Sequence, residues 1–255
     1  MMDLGLAGKK VIMNGGAHGL GLAALKTFVA EGADVAFFSR DPAKIETAVA
    51  AIQACGAGKV HATAFDMTDN APGYRDWLAG AVEALGGCDI FVHTASSSGQ
   101  GATSDWQRSF DMDVMGAVHA VEVLTPALVA SGAGSIVLMS STAAVETFIV
   151  PQAFNALKAA LITYGSQLGQ ALAAQGIRVN TVSPGAVYYP GGNWETIRTH
   201  VPQLYDATLA QMPMGRFGEP DEVARAIVFV ASPACPYMTG VNLVVDGGFT
   251  KRVQF

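Results

Sequence analysis

Short apolar runs rich in β-branched residues alternate along this chain with longer stretches whose apolar positions recur every three to four residues. The short runs predict strands at 10–14, 34–39, 60–65, 89–94, 135–140, 178–183 and 242–245. The longer stretches predict helices at 20–31, 42–54, 74–85, 104–130, 151–174 and 221–231. Strand then helix, repeated, reads as βαβ units: an α/β, doubly wound, Rossmann-like parallel sheet of about seven strands with helices on both faces. Several strand runs are apolar at every position, as a sheet covered on both sides requires. Gly32, Gly56, Gly86, Gly132 and Gly176 each fall just past a predicted helix, where a left-handed cap is wanted. The long irregular stretch 188–217, rich in Pro and Gly, is expected to be a substrate lid, since loops of that length are usually functional.

Composition narrows the setting. With 255 residues and no compositional break, the chain is expected to be one domain, 1–255, with residues 188–217 as a lid within it. The 51% apolar content supplies a large core, while a net charge of −6 without a Lys/Arg cluster argues against nucleic acid. Met1-Met2-Asp3 carries an acid where a signal peptide needs positive charge, and the richest apolar stretch, 115–133, is broken by His119, Glu122 and Pro126, so no membrane partner is expected. Cys55, Cys88 and Cys235 are odd in number and lack metal-ligand spacing; no metal and a reducing cytoplasm are expected.

The first candidate chemistry is the loop Asn14-Gly15-Gly16-Ala17-His18-Gly19-Leu20-Gly21, between the first strand and the first helix. Gly15 permits a tight turn, Gly19 a close approach of backbone to a pyrophosphate, and Gly21 helix-on-strand packing; the helix N-terminus then faces the phosphates. A ligand-free βα turn would use the same glycines. The second strand ends in Ser39-Arg40, with no acid for ribose hydroxyls and a guanidinium suited to a 2′-phosphate. NADP(H) is therefore favoured over NAD(H), with His18 as a partly positive neighbour; alternatively, Arg40 is a solvated charge beside Asp41.

With this loop, Ser141, the run Phe154-Asn155-Ala156-Leu157-Lys158 and the late Pro184-Gly185, the chain resembles the short-chain dehydrogenase/reductase family over essentially its whole length. The segments Pro213-Met214-Gly215-Arg216-Phe217-Gly218-Glu219-Pro220 and Asp246-Gly247-Gly248 agree with the resemblance. It implies a cofactor set of Gly15, Ala17, His18, Gly19, Leu20, Gly21, Ser39, Arg40, Asp66, Met67, Thr94, Ala95, Lys158, Pro184, Gly185 and Val187. Asp66 would hold the adenine amino group, although Asp66 and Thr68 could equally cap a turn. Ser141 would position substrate, and Lys158 would grip the nicotinamide ribose.

Asn14 stands for the threonine that opens the family's first loop, and the chain departs from the family pattern at four further places. Phe154 stands where a proton-donating tyrosine is expected, and Asp113 where an asparagine supports a relay water. His93-Thr94-Ala95-Ser96 replaces Asn-Asn-Ala-Gly, and Tyr189 replaces a carboxamide-binding threonine. His93 is read as a hydrogen-bonded structural histidine, Asp113 as capping or pairing within its helix, and Tyr188, Tyr189 and Trp194 as lid aromatics. Phe154 alone deletes a function outright.

The catalytic candidates are thus Ser141, Lys158, Asp113 and the altered position Phe154. Four accounts fit. One is an NADP(H)-dependent oxidoreductase with a non-standard site, its acid supplied by Tyr188, Tyr189 or His93, or its reaction, such as enone reduction, needing less acid. Another is a degenerate subunit that binds cofactor or supports an active partner chain. A third is a tyrosine deliberately changed to trap a ligand, and a fourth is non-redox chemistry by Asp113, His93 and Lys158. The first is preferred, on a small and partly hydrophobic substrate suggested by Val187, Tyr188, Tyr189, Trp194, Met212 and Met214. The long helices 104–130 and 151–174 carry surplus apolar residues and predict a homotetramer, or a mixed assembly with an intact family member.

Overall fold

The computed structural model describes residues 3–68, 70–97, 104–147 and 150–253; Met1 and Met2 of the leader reading lie outside them. Seven strands, β1 (Lys10–Asn14), β2 (Asp34–Ser39), β3 (Val60–Ala64), β4 (Ile90–His93), β5 (Gly134–Met139), β6 (Ile177–Pro184) and β7 (Asn242–Val245), form one sheet in the order β3-β2-β1-β4-β5-β6-β7. Every pairing is parallel. Strand order reverses between β1 and β4, which opens a crevice at the carboxyl ends of both.

The continuous apolar strands serve two cores. Val11 and Met13 of β1 face one layer and Ile12 the other; Val35 and Phe37 oppose Ala36 and Phe38 in β2, and Val137 and Met139 oppose Ile136 and Leu138 in β5. Helices α1 (Gly19–Ala30) and α9 (Pro220–Ala231) cover the first face. Helices α3 (Ala71–Leu85), α5 (Gly116–Ala130) and α6 (Ala153–Ala173) cover the second. Helix α2 (Pro42–Gln53) follows β2.

Three expectations change. The 104–130 helix is composite: α4 (Trp106–Ser109), a π-helical turn at Phe110–Met115, then α5. Trp106–Ala130 is thereby long and apolar enough, by length and composition, to cross a membrane, contrary to the sequence reading; here Ala117, Ala120, Leu124 and Leu128 pack into the second core. The supposedly irregular segment 188–217 holds two helices, α7 (Asn193–His200) and α8 (Pro202–Leu209). Their polar faces hid the helical period, because α7 buries no residue and α8 only Thr208. Of the five cap glycines, Gly32, Gly86, Gly132 and Gly176 have positive φ. Gly56 does not; it is glycine because a Cβ there would collide with the Val29 carbonyl.

Candidate active site

The crevice deepens into a cavity of about 1320 Å³. At its nucleotide end, β1 stops at Asn14 and the chain turns through Gly15 and Gly16, at φ +88° and +141°, before entering α1. A Cβ on Gly21 would lie 3.0 Å from the Gly16 Cα, so the loop closes on its helix only with hydrogen there. His18, the N-cap of α1, makes no side-chain cap bond, which leaves the first-turn N–H groups and the positive end of the helix dipole for an anion. This arrangement fits a dinucleotide pyrophosphate.

Ser39, Arg40, Lys44 and Asp66 line the same end. Asp41 does not neutralise Arg40. It caps α2, accepting from the backbone N–H groups of Ala43 and Lys44 at 3.0 and 3.4 Å. Burial, then the charges of Lys44 and Arg40, push His18 below the usual histidine range, so it is a neutral donor and not the partial cation expected. Asp66 accepts from the Thr68 N–H at 2.9 Å, as the turn-capping alternative requires, while also lining the cavity.

At the opposite end, Ser141, Phe154 and Lys158 line the wall. Ser141 follows β5, and its Oγ accepts from the Ala143 N–H at 3.2 Å, leaving its own proton to donate. Phe154 and Lys158 lie one turn apart in α6, with the Lys158 Nζ 5.7 Å from the ring centroid. Lys158 donates to the Met139 carbonyl at 2.9 Å and forms an ion pair with Asp113 Oδ1 at 2.7 Å. Ser97 secures the other carboxylate oxygen of Asp113 through its N–H at 3.0 Å and its hydroxyl at 2.8 Å. Burial alone would raise the Asp113 pKa; the Lys158 ammonium and the Ser97 donors outweigh it and hold the carboxyl below its usual range. The pair is therefore ionised. An ammonium has three N–H donors, so one remains for the cavity. Asp113 itself is fully buried and does not line the cavity; it positions Lys158 and cannot touch substrate.

His93 is likewise enclosed. Asn14 Oδ1 accepts from the N–H groups of Thr94 and Ala95, which makes Nδ2 the end that donates to Tyr74 Oη at 2.8 Å and to His93 Nδ1 at 2.6 Å. The proton of His93 then lies on Nε2, donated to the Asp113 carbonyl at 2.8 Å. Burial and the nearby Lys158 charge lower its pKa to about 4. It is a neutral structural histidine, not a replacement acid.

The 188–217 segment roofs the cavity with Tyr189 and Trp194, and Trp194 stacks on Phe217 at 4.8 Å. Tyr188 is excluded as an acid. It lies outside the main cavity, its hydroxyl directed to Glu195 at 3.5 Å. Met212 is buried among lid residues and Met214 is exposed, so neither lines the cavity.

Residues 15–250 match a family model described as enoyl-(acyl carrier protein) reductase. The chain belongs to the short-chain dehydrogenase/reductase family. Within it, isoepoxydon dehydrogenase of Penicillium expansum is 34% identical over 259 residues, with 100% of both chains covered. The 2,5-dichloro-2,5-cyclohexadiene-1,4-diol dehydrogenase of Sphingobium indicum is 32% identical, covering 97% of this chain and 98% of its own. The structure of L-sorbose reductase from Gluconobacter frateurii, complexed with NADPH and L-sorbose, superposes with a TM-score of 0.87 at 28% identity, covering 99% and 100% of the two chains. The chain is a short-chain dehydrogenase/reductase-type oxidoreductase with a nicotinamide cofactor.

Most of the sequence-predicted positions gather in this one cavity: Gly15, Ala17, His18, Leu20, Gly21, Ser39, Arg40, Asp66, Met67, Thr94, Ala95, Ser141, Phe154, Lys158, Pro184, Gly185 and Val187. Gly19 does not line it. Three contributors escaped the sequence reading. Lys44 was legible as a cation in the first turn after the second strand; Ser97 and the Met139 carbonyl, which fix the Asp113–Lys158 pair, carry no local signature.

Proposed function

We propose that the protein is an NADP(H)-dependent oxidoreductase acting on a small, partly hydrophobic alcohol, carbonyl or conjugated enone, through a site without the usual phenol. The observation that carries this reading is the common cavity shared by the glycine loop, Ser141 and Lys158. When bound, the nicotinamide supplies or accepts a hydride. Arg40 and Lys44 would hold a 2′-phosphate, the α1 N-terminus the pyrophosphate, and Lys158 the nicotinamide ribose. Ser141 would donate its free proton to the substrate oxygen, and Lys158 would face the same region with its third N–H. Residues 188–217 would close over the apolar part of the substrate.

A relative named for a cyclohexadienediol supports the conjugated class. Both of its hydroxyl carbons are flanked by double bonds, so oxidation yields a conjugated carbonyl and asks less of an acid–base group. Phe154 together with the Asp113-neutralised Lys158 also favours a second reading, a cofactor-binding subunit without turnover. Turnover assays across allylic alcohols and enones separate the two. Hydride transfer by the purified chain upholds the first reading, and cofactor binding without turnover upholds the second.

Calorimetric titration is expected to show NADPH binding more tightly than NADH, with Arg40→Ala and Lys44→Ala each removing about tenfold of that preference, the scale of a charge-assisted hydrogen bond. Equal affinity for the two cofactors would refute the phosphate assignment. A reducing cytoplasm suits the three free thiols. Trp106, Phe110 and Val129 stand exposed on the 106–130 segment, which supports burial between subunits. Light scattering is expected to give four times the 26.4 kDa chain mass; a monomer would overturn the tetramer, and a co-purifying intact relative would support the subunit reading.

A further inference from the structure

Gly19 is the loop position where backbone should come closest to a pyrophosphate. In this chain a side chain already occupies that approach. Atoms Cζ, Cε2 and Oη of Tyr189 lie 2.7 to 2.9 Å from where a Cβ on Gly19 would stand. On another side, the same ring crowds Gly192, whose ideal Cβ would be 2.9 to 3.0 Å from Cε2, Cζ and Cε1. The hydroxyl end of the ring is thus wedged between two glycines. This explains why Gly15, Gly16 and Gly21 line the main cavity and Gly19 does not.

Packing alone holds the ring there. Tyr189 rests against the first core, and its hydroxyl has no hydrogen-bond partner among the described residues. A destination is also present: Tyr189 lines a second cavity of about 610 Å³, bounded by Tyr188, Arg198, Tyr205 and Phe217. The chain beyond the ring can turn, since Gly191 has φ +77°. The helices it leads into, α7 and α8, bury a single residue between them, Thr208. Apart from the small cluster of Trp194, Tyr205 and Leu209 around Phe217, they add nothing to the two main cores, and segments of that kind open at low free-energy cost.

We propose that Tyr189 is a built-in occupant of the pyrophosphate seat, and that a dinucleotide binds only after the ring leaves Gly19 for the second cavity. This rests on the dinucleotide reading above and adds that the open fraction of the seat sets the affinity. A ring that fills the seat in about 90–99% of molecules weakens apparent binding about 10- to 100-fold.

Stopped-flow fluorescence with NADPH tests this on the full chain. The wild-type binding rate is expected to level off as NADPH rises, because opening becomes limiting. Tyr189→Ala is expected to keep a linear dependence and to bind about tenfold or more tightly. Tyr189→Phe should behave as wild type, since the ring and not its hydroxyl fills the seat. Gly192→Ala supplies an independent check that keeps the tyrosine. Gly192 has φ −88°, so alanine is unstrained, and its methyl would push the ring from a position already blocked by Gly19. It too should bind NADPH more tightly. Unchanged or weaker binding by both Tyr189→Ala and Gly192→Ala, with melting temperatures showing both folded, overturns the proposal and leaves the dinucleotide reading standing. Absence of NADPH binding by wild type and both variants overturns the two together.

Discussion

Phe154→Tyr alone is expected to yield little carbonyl reduction, whereas Phe154→Tyr combined with Asp113→Asn raises it by about 10²–10⁴-fold, the usual worth of a positioned general acid. A phenol at position 154 needs a positive neighbour to lower its pKa. In this site the neighbour is already taken, because the Lys158 ammonium lies 2.7 Å from the Asp113 carboxylate and presents the cavity with a nearly neutral pair. Asparagine at 113 still has an amide oxygen to accept from Ser97, and it releases Lys158, which keeps the Met139 carbonyl and can turn toward the ring. The pH–rate profile of alcohol oxidation supplies the check. The double variant should show a lower apparent pKa than Phe154→Tyr. A single variant that matches the double in rate and profile would show that Asp113 does not silence the lysine.

Acid is expected to destabilise the fold between pH 6.5 and 4 by about 3 kcal/mol through His93, as a group held at about 4 in the folded chain and near 6.5 in the unfolded one requires. The unfolded chain binds the proton first as pH falls. The stability conferred by neutral His93 is therefore complete above pH 6.5, and it is lost as pH drops toward 4. Asp113 acts with the same sign further down: its depressed folded pKa gives stability that starts to fall as the unfolded carboxyl protonates and is gone once the folded one does. Urea denaturation at a series of pH values measures the slope. His93→Asn should lower stability at neutral pH, because the Asp113 carbonyl loses its donor, yet flatten the dependence in that window. An unchanged slope in His93→Asn would assign the acid sensitivity to other groups.

The fold was legible because strands buried on both faces and helices in strict alternation leave few topologies, and β1, β2 and β7 fell at the expected residues. The helices of 188–217 were not, since α7 buries no residue and turns only Trp194 and a few neighbours to the cavity, too few to set a readable apolar period. Within the site, local motifs located the glycine loop, Ser141 and Lys158. What those motifs could not carry were contacts between distant positions. The carboxylate of Asp113 reaches a lysine 45 residues later in sequence only because the π-helical turn and α6 pack together. Tyr189 read as a lid aromatic, and only the folded chain brings it onto Gly19, 170 positions earlier. His93 was correctly read as structural, but its partner Asn14 lies on the neighbouring strand, a pairing that sequence spacing does not announce.

The reversal of strand order between β1 and β4 places the cavity across two separately built walls. The nucleotide wall comes from the ends of β1, β2 and β3, and the reacting wall mostly from the ends of β4, β5 and β6 with α6. The two walls meet where Asn14 holds His93 and Thr94 and where Tyr189 rests on Gly19. Phe154 on the reacting wall and Asp113 behind it can change while the glycine loop keeps its packing, whereas Tyr189 crosses the divide and ties cofactor entry to the same drift.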